Sequence, residues 1–139
     1  MKILRIPLIV LAALLAFALT NGAWMEQRCS GWTDELDAID QSVLQDDWDG
    51  AQQQLYVLYK DWQSAQLWLH ITADHEEINA AEGLFCRSLV LSQQADSVEF
   101  RAHIAELRSQ LQLLYEMERL SIKNILKLIS RSAVCSARA

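Results

Sequence analysis

The scarcity of helix-breaking residues restricts the fold of this chain more than any other feature. Its 139 residues include one proline, Pro7, and four glycines. Proline removes a backbone donor and glycine adds backbone freedom, so both are rare inside long helices. Hydrophobic residues make up 52% of the chain, which argues against a disordered protein. The sequence therefore predicts an all-α protein, and it argues against a β-sandwich or a collagen-like chain.

The first 23 residues have the pattern of an export signal or a membrane anchor. Lys2 and Arg5 precede an apolar run, residues 6–19, and positive charge before such a run places the N-terminus in the cytoplasm. Small residues of the kind found at cleavage sites lie inside the run and at Ala23. We favour an uncleaved anchor in the cell membrane, with secretion after cleavage as the alternative. Both readings place the rest of the chain outside the cytoplasm.

Beyond this segment, apolar residues recur at intervals of three and four, which predicts amphipathic helices. The first is predicted to begin at Thr33, where a capping residue precedes two carboxylates. Asp46 or Asp47 is the predicted cap of the second. The apolar stripe predicted for the second helix is Trp48, Ala51, Leu55, Leu58 and Trp62.

The last two helices are predicted to form a long antiparallel hairpin. One runs from about residue 64 to residue 93, and the other follows a cap at Asp96 or Ser97 and continues unbroken through residue 121. Their predicted seams are Leu67, Ile71, Asp74, Ile78, Ala81, Phe85 and Leu89, then Phe100, Ile104, Leu107, Leu111, Leu114, Glu118, Ser121, Ile125 and Leu128. Short loops make sequential helices antiparallel neighbours, so the predicted fold is an antiparallel helical bundle. The predicted divisions are an anchor or signal over residues 1–23, a bundle domain over residues 32–130 and a tail over residues 131–139.

Charge is distributed unevenly along the chain. Residues 32–82 contain twelve carboxylates and one base, giving −11, whereas residues 83–139 contain five carboxylates and eight bases, giving +3. We expect the acidic and basic halves to dock on each other, with contact between the basic end and an anionic surface as the alternative. The overall charge of −6 argues against nucleic acid as a partner.

The stretch WLHITADHEEINAAE, residues 68–82, carries two histidines and four carboxylates. It lacks the His-Glu-x-x-His spacing of zincins and the Glu-x-x-His pairs of di-iron bundles, so we predict no metal site and no cofactor. The chain also lacks a glycine-rich turn, a Gly-x-Ser-x-Gly elbow and an evident oxyanion donor set, so we predict no catalytic site. Asp74 and Glu118 interrupt apolar seams at nearly the same predicted level. We therefore interpret Asp74, His75, Tyr115 and Glu118 as a structural polar layer across the hairpin, with a ligand or ion site as the alternative.

The three cysteines and the tryptophans have simple structural interpretations. Cys86 lies in an apolar run and is predicted to be a core residue. Cys29 and Cys135 flank the helical region and can pair in an oxidising compartment. Trp48, Trp62 and Trp68 are predicted to pack in the core rather than line a ligand groove, and Trp24 suits a membrane interface.

Two short motifs, DHEEINAAE at residues 74–82 and ERLSIKNIL at residues 118–126, follow a tryptophan-rich stretch at residues 48–62. Together they resemble the DUF4363 family over residues 47–126. The resemblance implies a small Firmicutes protein with an N-terminal membrane segment and a helical remainder. It implies no activity and supplies no catalytic residue.

These observations predict a non-enzymatic protein-interaction module at the cell envelope. Its expected partners are the membrane, through the N-terminal segment, and another protein or a second copy of the chain. The alternative is a small-ligand or envelope-stress sensor with a pocket between helices. An exposed apolar stripe on the first helix would favour the interaction module, and a closed cavity near Trp62 and Trp68 would favour the sensor.

Overall fold

The computed structural model describes the backbone of residues 2–136; the side chains of residues 1–5, 118, 121, 122, 125, 126 and 128–139 are not described. The described chain folds into four helices without a strand. They are α1 (Lys2–Leu44), α2 (Trp48–Thr72), α3 (His75–Ser92) and α4 (Ser97–Ser136). The prediction of an all-α bundle is confirmed.

The helices pack as a four-membered bundle in which each contacts two others. The contacting pairs are α1 with α2, α2 with α3, α3 with α4, and α4 with α1. Because the connections are short, consecutive helices run in opposite directions and the chain passes up, down, up and down. α4 therefore returns along α1, which brings the C-terminal part of the chain back toward its N-terminal part.

The first helix is continuous where the sequence predicted a new start. The Thr33 hydroxyl donates to the carbonyl of Ser30 at 2.9 Å instead of capping a helix. Trp32 and Leu36 on either side are fully buried, and this packing holds the backbone helical. The predicted helix start at Thr33 is wrong, and α1 runs without a break from the apolar run into the bundle.

Aspartates cap three of the four helices. Asp47 accepts from the Gly50 amide at 3.0 Å, and Asp96 accepts from the amides of Val98 and Glu99. These two confirm the predicted caps. Asp74 caps α3 by accepting from the Glu76 amide at 2.8 Å.

The cap at Asp74 divides the predicted third helix into two. Ala73 is extended, with φ −120° and ψ 169°, and ends α2. The helix predicted over residues 64–93 is therefore wrong: its first third belongs to α2 and its remainder is α3. The side chains of Leu67 and Ile71, predicted to lie in the seam, are 78% and 68% exposed.

Most of the other predicted seam residues form the core. Those that are buried are Ala51, Leu55, Leu58 and Trp62 on α2, Ile78, Ala81 and Phe85 on α3, and Phe100, Ile104, Leu107, Leu111 and Leu114 on α4. α4 also continues through residue 121, as predicted. The seam predicted for Glu118, Ser121, Ile125 and Leu128 lies outside the described side chains. Cys86 is exposed, so its prediction as a core residue is wrong.

The acidic and basic halves dock on each other, as the charge distribution predicted. The Arg101 guanidinium holds both oxygens of Asp40, with the shorter contact at 2.6 Å. Arg108 pairs with Asp37 one to two turns along the same interface. Both ion pairs join α1 to α4 at the end of the bundle that lies away from the apolar run.

Candidate functional site

Asp74 and His75, half of the predicted polar layer, lie on the surface. Asp74 is occupied as the α3 cap, and His75 is exposed at the start of α3. Tyr115 is half-buried on α4. The side chain of Glu118 lies outside the described residues. The expectation that Asp74 and His75 are buried in the hairpin seam is wrong, because the chain turns at this point instead of continuing as one helix.

The same turn brings the two histidines of the segment together. The Nδ1 atoms of His70 and His75 are 2.9 Å apart, so one ring donates to the other across the α2–α3 connection. A continuous helix would have placed these residues on different faces. Within the described side chains, no group of three or more His, Cys, Asp or Glu is arranged to hold a metal ion.

A different polar centre lies between α2 and α3, at the Glu82 carboxylate. One oxygen accepts from the Tyr59 hydroxyl at 2.6 Å. The other accepts from Trp62 Nε1 at 2.7 Å and from the Gln66 side-chain amide at 2.6 Å. Trp62 is fully buried, so its N–H depends on this acceptor.

A second carboxylate, Asp61, accepts a hydrogen bond from the indole of Trp32 in the same way. Asp61 accepts from Trp32 Nε1 at 2.7 Å and from the Arg28 guanidinium at 2.7 and 2.6 Å. Burial acts to raise the pKa of Asp61, but the hydrogen bonds from Arg28 and Trp32 outweigh it and hold the pKa below its ordinary value. The guanidinium also lies 5.6 Å from the Trp24 ring centre, where a cation–π contact adds to its placement.

The two carboxylates are linked through stacked rings. Trp32 and Trp62 meet edge to face with centroids 5.2 Å apart, and Trp62 packs on Phe85 at 5.4 Å. We call Trp32, Asp61, Trp62 and Glu82 the indole–carboxylate cluster. It ties α1, α2 and α3 together, and each carboxylate accepts hydrogen bonds from side chains on a neighbouring helix.

The chemistry of this cluster is that of a structural hydrogen-bond network. The hydrogen bond to Glu82, followed by burial, raises the pKa of Tyr59 above its ordinary value, so its hydroxyl stays protonated. The Cys86 sulfur lies 3.9 Å from that hydroxyl. A neutral phenol that donates to a carboxylate is stabilised against losing its proton, which is the opposite of activation as a base or nucleophile.

Sequence reasoning missed this cluster although a signal for it was present. A buried indole N–H needs an acceptor, and the chain contains five tryptophans. Pairing each tryptophan with a nearby carboxylate singles out Asp61 but assigns it to Trp62, the next residue, whereas the structure pairs it with Trp32. Glu82 lies on another helix, so only the tertiary arrangement identifies it.

A second aromatic group lies beside the apolar run. Trp68 of α2 packs on Phe17 at 5.9 Å and on Trp24 at 6.0 Å between centroids. Its Nε1 donates to Asn21 Oδ1 at 2.8 Å, and Asn21 is 5% exposed. We call Phe17, Asn21, Trp24 and Trp68 the boundary cluster, because it joins the bundle to the outer part of the apolar run.

Several open grooves flank α1, and two of them lie at opposite ends of the bundle. One, of about 460 Å³, lies between α1 and α4 and is lined by Leu19, Gly22, Ala23, Glu26, Tyr115, Arg119 and Lys123. The other, of about 420 Å³, lies between α1 and α2 at the opposite end of the bundle and is lined by Glu35, Ala38, Gly50, Gln53, Gln54 and Val57. Burial and the nearby charge of Asp61 raise the pKa of Glu35, the acidic residue in this lining.

A family model described as a domain of unknown function, DUF4363, matches residues 23–125. The chain belongs to this family. The match extends the resemblance seen in the sequence toward the N-terminus, and it covers α2, α3 and the parts of α1 and α4 within residues 23–125. The whole apolar run precedes it, so family membership describes the bundle rather than the run. No curated protein and no solved structure matched the chain.

Within the described residues, α1 is the one helix long and apolar enough to cross a membrane. The qualifying stretch lies near the N-terminus and is largely unburied, with Ile6, Leu8 and Ile9 each at least 67% exposed. By contrast, Met25, Cys29 and later residues of the same helix enter the bundle core.

Proposed function

We propose that this DUF4363 protein is a non-enzymatic interaction module that the first half of α1 anchors in a membrane. The observation that carries the proposal is the division of α1 into two halves, one with exposed apolar side chains and one that packs in the bundle. Residues 6–25 contain no charged side chain and extend about 30 Å as a helix, about the thickness of a bilayer core, and the last of them, including Asn21 and Met25, also pack against the bundle. Lys2 and Arg5 before this stretch favour a cytoplasmic N-terminus and an extracytoplasmic bundle.

The face of the bundle that we assign to a protein partner is formed by α1 and α2 around the 420 Å³ groove. Val57 lines this groove and is 57% exposed. Glu35 of α1, an exposed carboxylate, lines the same groove. A partner segment with basic and apolar residues would complement this surface.

The exposed apolar residues lie on α2 rather than on the part of α1 where the sequence analysis sought them. Leu36, Ile39 and Val43 of α1 are buried. The interior around Trp62, where a sensor pocket was expected, is filled by Trp32 and Phe85. The support for an interaction surface therefore comes from α2.

The groove between α1 and α4 favours the sensor as a second candidate. Arg119 and Lys123 project into it from one side of α4, and Glu26 faces them from α1. Such a groove suits a small ligand with an anionic group. Replacing Arg119 and Lys123 with alanine would remove stabilisation of the full chain by phosphate-containing ligands, whereas Lys60→Ala would leave it unchanged.

Topology is tested with reporters fused after Ala139. Alkaline phosphatase, which is active only after export, should be active, and green fluorescent protein, which fluoresces when it stays in the cytoplasm, should be dark. The variant with Lys2→Glu and Arg5→Glu should lose much of the phosphatase activity because the charge bias is reversed. A phosphatase fusion that is inactive while the fluorescent fusion is bright would overturn the orientation.

The partner face is tested by a photo-crosslinking residue at Val57 in cells. The matched control carries the same residue at Gln112, which is exposed on α4 away from this face. Adducts from position 57 that are absent from position 112, and that weaken with Glu35→Lys, support the proposal. Equal labelling from both positions refutes this face as the binding surface.

A further inference from the structure

The membrane-proximal end of α2 exposes two apolar side chains beside the boundary cluster. Leu67 and Ile71 are 78% and 68% exposed and lie one turn apart on the same side of α2. We propose that the α2–α3 corner, residues 67–75, is a second membrane contact, in which Leu67 and Ile71 enter the boundary between lipid headgroups and acyl chains. This inference rests on the proposed anchor.

The depth of the corner follows from the contacts of Trp68. Its ring contacts the rings of Phe17 and Trp24. At 1.5 Å per residue, these two residues lie about 12 Å and 2 Å below residue 25, the outer end of the uncharged residues 6–25. Trp68 is thus held in the outer part of residues 6–25, between about 2 and 12 Å below residue 25. Leu67 is its immediate neighbour, and Ile71 follows within one turn.

The polarity of the boundary cluster agrees with this depth. Asn21 is the one strongly polar side chain between Thr20 and Met25, and it accepts from Trp68 Nε1. A tryptophan with an apolar ring and a satisfied N–H is typical of the membrane interface. The hydrogen bond between Asn21 and Trp68 lowers the free-energy cost of removing the Asn21 amide from water, and it links the end of α2 to the anchor.

The chemistry of the corner identifies apolar insertion as the mode of contact. Exposed carboxylates at Asp74 and Glu76 follow the two apolar side chains. Negative charge at this position gives no attraction to anionic headgroups. We therefore assign the Leu67–Ile71 surface to the apolar boundary of the bilayer, and the contact should form in zwitterionic bilayers and gain nothing from anionic lipids.

The experiment uses the full chain, with its three cysteines replaced by serine, reconstituted in vesicles of phosphatidylcholine. Single cysteines at positions 67, 71 and 57 carry an environment-sensitive fluorophore. Val57 is the matched control because it is also exposed and apolar but lies on the same helix ten residues before Leu67, farther from the proposed membrane contact. The readouts are the emission wavelength and quenching by lipids brominated on their acyl chains.

Labels at 67 and 71 should emit at shorter wavelength and lose at least half of their intensity to brominated lipid, whereas the label at 57 should emit as in water without quenching. A fourth label, at Leu14, reports on the anchor. Quenching at 14 without quenching at 67 and 71 overturns the second contact and leaves the anchor intact, while absence of quenching at 14 overturns the anchor. A blue shift at 67 without lipid quenching indicates burial against a second copy and also overturns the proposal.

Discussion

Removing the Glu82 carboxylate should destabilise the bundle mainly through one buried group, the Trp62 indole. Glu82→Leu leaves Trp62 Nε1 without its acceptor in a site that water does not reach, because Trp62 is 0% exposed. An unsatisfied buried donor costs about 1–3 kcal/mol. Tyr59 and Gln66 also lose their acceptor, but both are half-buried and can turn to water, so each adds about 0.5 kcal/mol. We expect a loss of about 2–4 kcal/mol in the free energy of unfolding.

The assay is equilibrium unfolding of the full chain in detergent micelles, followed by far-UV circular dichroism. Glu82→Gln keeps an acceptor oxygen and should lose about half as much stability as Glu82→Leu, since a neutral hydrogen bond is weaker than a charged one. Glu116→Leu, at an exposed position on α4, is the control for adding a leucine and should change stability by no more than about 0.5 kcal/mol.

A double-mutant cycle with Trp62→Phe isolates the hydrogen bond. Phenylalanine removes the N–H, so Glu82→Leu in that background no longer strands a donor, and the two changes should be coupled by about 1–3 kcal/mol. Additive losses would refute the reasoning, because they would show that the indole does not depend on the carboxylate.

Three further outcomes follow from the structure. The pKa of Asp61 is lowered in the folded protein, so Asp61 stabilises the fold above the ordinary aspartate pKa of about 3.9. This stabilisation is lost as the pH falls through the folded pKa. Asp61→Asn should therefore reduce the change in unfolding free energy over this acid range, and an unchanged pH profile would contradict this. Burial raises the pKa of the Cys29 thiol to about 12, whereas Cys86 is exposed. In a variant that lacks the C-terminal cysteine, a maleimide should therefore label Cys86 alone until the protein unfolds. Mass spectrometry counts the labels, and two labels on the native protein would contradict this prediction. The Cβ of Gly31→Ala meets no atom within 4 Å, and this change should stabilise α1 by about 0.5–1 kcal/mol in thermal unfolding. The Cβ of Gly50→Ala clashes with the Asp47 carboxylate that caps α2, so this change should bring no such gain.

The parts of the fold that the sequence predicted are those that depend on local periodicity. The seam of α4 from Phe100 to Leu114 was predicted from its spacing because one helical face meets the core along its whole length. The caps at Asp47 and Asp96 were predicted because each follows the end of one apolar stripe and precedes the next. In both cases the signal and its structural cause lie within one or two turns of the chain.

The errors arise where similar local signals have different tertiary outcomes. Thr33 and Asp74 are both capping residues followed by acidic residues, but only Asp74 begins a helix. At Thr33 the burial of Trp32 and Leu36 keeps the backbone helical, whereas the side chains just before Asp74, including Ile71, have no core to enter. The near-heptad spacing through Asp74 suggested continuity that packing does not support.

The candidate site was misplaced for a related reason. The sequence analysis sought a buried polar layer where seam positions held polar residues, at Asp74 and Glu118. The structure instead places buried polar contacts beside the seam, where Asp61 and Glu82 reach indole N–H groups from a neighbouring helix. Which carboxylate meets which indole depends on helix register, which spacing along one chain does not determine.

The continuity of α1 restricts how the proposed module can act. The bundle and the apolar run share one helix, and Trp68 on α2 fastens a second helix to the same run through Asn21. A bundle held at two points cannot swing on a flexible tether as a domain on a linker does. Val57 lies eleven residues before Trp68 on α2, so the partner face begins about 16 Å beyond the boundary cluster at 1.5 Å per residue. This fixed height favours a partner whose own binding segment lies close to the membrane surface.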